Sequence, residues 1–104
     1  MHPYIHRSAL LVGLLATSAG AQAQDAHLER NLAATCANCH GTNGHARGDM
    51  KVLAGVSADK IVALLADFKS GAQPATIMHQ ISKGYTDEQI KLVAAFFAAQ
   101  PASK

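Results

Sequence analysis

Both cysteines of this 104-residue chain stand within four positions, in Thr35-Cys36-Ala37-Asn38-Cys39-His40-Gly41, and a histidine follows the second one directly. Placing all the thiol chemistry in one helical turn beside an imidazole restricts the fold more than any other feature. Whatever these three side chains hold must lie where one short segment can reach it. A redox dithiol would use C-x-x-C at a helix start within a β-α-β pattern, whereas this pair ends a helical pattern and no strand pattern accompanies it. A structural zinc ion needs four ligands; no second cysteine pair exists, and His45 and His79 do not supply the usual spacing. A disulfide across two intervening residues would close a very short loop and stabilise the chain weakly.

The size of the core favours a larger occupant. Residues 1–23 read as an export leader: Met1 to Arg7 form a short front, residues 8–20 are apolar and small, and Ala21-Gln22-Ala23 is an A-x-A cleavage signature. The apolar run is shorter than the roughly 20 residues that cross a bilayer, so stable membrane insertion after cleavage is not expected. Cleavage would leave 81 residues from Gln24 to Lys104 as a single domain in the periplasm. A domain of this size commonly needs an internal prop, and this one has three Phe and no Trp.

Covalent c-type haem uses all three residues and fills the core at once. The Cys36 and Cys39 thiols would form thioethers with its two vinyl groups, and His40 would present Nε2 to the iron. The sixth ligand has three candidates: Met50, ten residues beyond His40; Met78, 38 residues beyond; and its neighbour His79. Met78 has the chain length to reach the opposite face after an intervening helix, while Met50 follows a glycine loop that must still travel round the haem edge. His45 reads as a loop residue. A thioether ligand raises the reduction potential and closes the iron to small ligands, both of which suit electron transfer.

The pattern along the chain is helical throughout. Leu28, Leu32 and Cys36 recur every four residues over 26–36, with Asp25 as a possible cap. Residues 41–56 hold four glycines without a sustained period and predict a loop folded closely around something. Ser57 caps a helix over 58–69 whose buried face is Ile61, Leu64, Leu65 and Phe68, with Gly71 ending it in a left-handed conformation. A short helix from about Pro74 carries Ile77 and Ile81 on one face and closes at Gly84. Thr86 and Gln89 make a capping box for a last helix with Ile90, Val93 and Phe97, flanked by Leu92 and Phe96. The expected fold is all-α, about four helices around one haem, with the first and last helices crossing.

The charges say little about partners. After the leader, eight cationic residues face seven anionic ones, a net of +1, scattered singly without a basic stripe. Nucleic acid is therefore a poor candidate, and no cluster of acid, base and nucleophile suggests an enzyme.

With Cys36, Cys39, His40 and Met78 assembled, the chain resembles a class I cytochrome c of the short bacterial kind. Residues 36–41 (CANCHG) are the strongest element, and residues 53–55 (LAG) look like the family's haem-lining loop. Residues 68–71 (FKSG) and 76–100, beginning TIMHQISKGYTDEQI, are more narrowly similar to the haem subunit of flavocytochrome c sulfide dehydrogenases. The resemblance implies Met78 as distal ligand, Leu32 and Phe97 as partners where the terminal helices cross, and Gly41 beside the attachment turn. It implies electron transfer with redox proteins, either as a free carrier or as the cytochrome subunit beside a flavoprotein dehydrogenase. A haem sensor with a labile or absent distal methionine is the alternative. One departure stands out: the family often has a proline after the histidine whose carbonyl accepts the imidazole Nδ1 proton, and residues 41–73 contain none. A carbonyl near Gly48 to Met50 is expected in its place.

Overall fold

The structure, a computed structural model, describes residues 27–102, so the leader assigned to 1–23 and the Asp25 cap lie outside the described residues. The described chain is a single all-α domain. It comprises α1 (Leu28–Ala33), a 3-10 turn (Ala34–Cys36), α2 (Ala37–His40), a second 3-10 turn (Thr42–Gly44), α3 (Ala58–Ser70), α4 (Met78–Lys83) and α5 (Asp87–Ala98), and no strand occurs among these residues. The terminal helices α1 and α5 pack together, and α3 packs against both α4 and α5.

Local signals set the boundaries of the two longest helices. Ser57 Oγ accepts from Lys60 N at 3.3 Å at the start of α3, and Gly71, with φ of 84°, ends that helix. At α5 the capping box is complete: Gln89 N donates to Thr86 Oγ1 at 3.1 Å, and Thr86 N donates to Gln89 Oε1 at 2.9 Å. Ile90, Val93, Ala94 and Phe97 form the buried face of α5. With Ala33 of α1 and Ile61 of α3, the last three of these make the central cluster, against which Leu32 and Cys36 also pack. Phe97 is 1% exposed and meets Phe96 edge-on, with ring centroids 5.2 Å apart.

Three expectations are corrected. The first helix is not continuous: it tightens into a 3-10 turn over Ala34–Cys36 before α2 resumes. Its inward residue is Ala33, while Leu28 is exposed. A small side chain there suits a close approach to Ala94 of α5, which the four-residue stripe of larger residues did not indicate. Second, α4 begins at Met78 rather than near Pro74, and Ile77 is its exposed N-cap with φ of −125°. Proline disfavours helical backbone at Gln73, and the β-branched pair Thr76-Ile77 is a poor helix start. Gly84 still closes α4, but with right-handed backbone. Third, Leu64 faces outward from α3 and Val62 packs on the core instead.

The glycine loop folds on itself and on the end of α5. Gly44 O accepts from Leu53 N at 2.9 Å and Ala54 N at 3.2 Å, and Gly55 N donates to Phe97 O at 2.9 Å. Gly44 has φ of +80°, and a Cβ there would lie 2.7 Å from Ala54 N and 2.8 Å from Phe97 Cδ1. Only glycine allows both the backbone angle and the approach.

Candidate functional site

Cys36 closes the 3-10 turn and Cys39 and His40 lie on the following short helix, so backbone geometry alone groups them. Both cysteines are free thiols, Cys36 half-buried and Cys39 exposed. Burial pushes the Cys36 thiol above its usual pKa. The chain reverses straight after His40. Gly41 takes φ of +78°, and a Cβ there would come 2.1 Å from His45 O. A side chain is thereby excluded beside the attachment turn.

His40 Nδ1 lies 2.7 Å from Lys51 O. A carbonyl only accepts, so Nδ1 carries the proton and Nε2 keeps its lone pair for an external partner. The acceptor falls one residue beyond the Gly48–Met50 stretch expected from the sequence. Lys51 O is held in place by the loop around it, through the bonds of Leu53 and Ala54 to Gly44 and of Gly55 to Phe97. With no proline among residues 41–73, the acceptor of the Nδ1 proton is a lysine carbonyl on a loop anchored to α5.

Met78 is half-buried in the first turn of α4, whereas Met50 is 45% exposed. The α4 start is reinforced from within: Ser82, fully buried, donates from Oγ to Met78 O at 2.7 Å and has His79 O within 3.1 Å. Its rival His79 is engaged. The His79 ring packs against Phe68 with centroids 6.2 Å apart, and its Nε2 hydrogen-bonds Gln73 O. Because that partner is a carbonyl, Nε2 donates to it and the ring is held at Gln73. His45 is an exposed loop residue.

The α4 region is tied to the attachment turn by a residue that sequence reasoning passed over. Tyr85 Oη donates to Leu32 O at 3.2 Å and accepts from Thr35 Oγ1, fifty positions earlier in the chain. Lys69 Nζ donates to Tyr85 O at 2.6 Å and pairs with Asp87 at 3.5 Å. A tyrosine between Gly84 and a capping threonine carries no periodicity signal, so only the fold reveals its reach.

The donor set fits covalent haem. Two free thiols two residues apart flank an imidazole whose Nδ1 is fixed and whose Nε2 is available. Among the described residues, no group of three or more His, Cys, Asp or Glu side chains could hold a metal ion, and no helix is long and apolar enough to cross a membrane.

No protein-family model matches the chain. Among characterised proteins, it is 41% identical over 66 residues to the cytochrome subunit of sulfide dehydrogenase of Chlorobaculum tepidum, covering 64% of this chain and 60% of that protein. It is 38% identical over 98 residues to the thiosulfate dehydrogenase electron acceptor of Stutzerimonas stutzeri, covering 91% of this chain but 45% of that protein. The likeness to cytochrome c-553 of Helicobacter pylori is 36% over 89 residues, 84% of this chain and 90% of that protein. The chain therefore spans less than two thirds of the first two relatives and nearly the whole of the third.

Proposed function

The chain belongs to the cytochrome c family, and we propose on that basis that it is a periplasmic electron carrier with one covalent haem c and His/Met axial ligation. In this reading residues 1–23 are removed on export and residues 24–104 form the cytochrome domain. Cys36 and Cys39 hold the haem by thioether bonds, His40 is the proximal ligand and Met78 the distal one. The bound group supplies a single iron that cycles between ferric and ferrous states.

The observation that carries the proposal is the His40–Lys51 hydrogen bond beside two free thiols at haem spacing. It fixes the imidazole tautomer that binds iron and turns the ring by a backbone carbonyl, which side-chain substitution does not remove. Met78 is favoured on the distal side because it stands 38 residues beyond His40, past the intervening helix α3, and because the His79 ring is held by Gln73 O and Phe68. A thioether there favours ferrous iron and leaves no open position for oxygen or peroxide. The chain's residues then have no bond to make or break on a substrate, and the product of turnover is a transferred electron.

The partner is a redox protein. The names of two relatives point to dehydrogenases of reduced sulfur compounds, and we place a flavoprotein dehydrogenase subunit first among candidate partners. The near-zero net charge suits a mostly apolar contact better than strong electrostatic steering.

Expression of the full chain in a host that matures c-type cytochromes, followed by acidic acetone extraction, tests the cofactor. The haem should stay with a polypeptide whose mass corresponds to residues 24–104 plus one haem. Pigment that washes out completely, or a colourless product, would overturn the proposal.

A further inference from the structure

The geometry points to Tyr85 as a positioning residue for the distal ligand: its hydroxyl latches the α4–α5 corner to the haem attachment turn and so keeps Met78 in place. This rests on the assignment of Met78 as distal ligand. A continuous chain of hydrogen bonds joins the two ends. Thr35, immediately before Cys36, donates to Tyr85 Oη, and Tyr85 Oη donates to Leu32 O at 3.2 Å. Tyr85 N donates to Ser82 O at 3.3 Å. Ser82 Oγ donates to Met78 O at 2.7 Å.

Each link is placed to transmit position. Tyr85 has one hydroxyl proton, and the Leu32 carbonyl can only accept, so the order of donation from Thr35 through Tyr85 to Leu32 is determined. Ser82 is fully buried, and its hydroxyl has no competing solvent. Lys69 Nζ holds the Tyr85 carbonyl from the end of α3, so the corner is gripped from a second helix. The tyrosine body packs on the central cluster, which leaves the hydroxyl as the one atom whose loss breaks the connection without opening the core.

Removing that atom should let α4 move relative to the attachment turn and expose the iron more often to an outside ligand. The probe is imidazole, titrated into the ferric holoprotein and followed in the visible spectrum. In Tyr85→Phe the half-saturating imidazole concentration should fall about three- to tenfold, the effect of losing two hydrogen bonds, one partly buried and one exposed. Thr35→Val, which removes one of the two bonds, should shift it in the same direction by less and serves should Tyr85→Phe not mature. Ser57→Ala, which removes the α3 cap away from the latch, should leave it unchanged. Amides of residues 78–83 should exchange hydrogen faster in Tyr85→Phe holoprotein.

Met78→Ala separates the two readings. It should tighten imidazole binding strongly and abolish any further effect of Tyr85→Phe in the double variant. Unchanged imidazole binding in Met78→Ala would remove the distal assignment and the latch with it. A strong Met78→Ala effect with none from Tyr85→Phe, or a Tyr85→Phe effect that persists in the double variant, would overturn the latch alone.

Discussion

The side chains that decide the chemistry are few, and each owes its role to one partner. His40 is oriented by the Lys51 carbonyl, so Nε2 is the nitrogen left to bind. His79 lies next to Met78, yet its bond to Gln73 and its packing on Phe68 commit it elsewhere. Substitution of Met78 should therefore matter and substitution of Met50 should not. Met78→Ala is expected to lower the reduction potential, because a thioether ligand stabilises ferrous iron, and Met50→Leu to leave it nearly unchanged. Potentiometric titration of both variants checks this, and the opposite ranking would move the distal role to Met50.

The two longest helices, α3 and α5, are stabilised at their starts as well as along their faces. The Thr86–Gln89 capping box satisfies two backbone donors at the start of the helix that carries most of the core. Thr86→Ala should cost about 1 kcal/mol, which for a domain this small lowers the thermal midpoint by about 4–8 °C. Thermal unfolding followed by far-ultraviolet dichroism measures the shift; a midpoint within a degree of the parent would show that the box contributes nothing. The interrupted first helix follows the same logic in reverse. Tightening over Ala34–Cys36 places Thr35 and the Leu32 carbonyl within reach of Tyr85.

As a whole, the domain has little to hold it together besides its cofactor. The central cluster contains two alanines and a single aromatic ring, Phe97, while Val52, Leu64 and Ile77 remain partly exposed. Burial of so few large side chains contributes little against the conformational entropy of ordering the chain. Haem attachment is accordingly expected to drive folding. The apoprotein, prepared in a host that lacks haem maturation, should show sharply reduced helicity by far-ultraviolet dichroism. A spectrum equal to that of the coloured form would contradict this dependence.

The attachment motif, the capping residues and the apolar period of the last helix were legible along the chain because each depends on neighbours within about four positions, where helical geometry dictates who meets whom. These local signals carried the all-α fold, the cysteine pair and the histidine that follows it. The inward turn of Ala33, the late start of α4, the Lys51 carbonyl beneath His40 and the reach of Tyr85 to Leu32 and Thr35 were not legible. They pair a residue with a backbone atom or a helix face from another part of the chain. No residue type announces such a contact, and it exists only once the helices have packed.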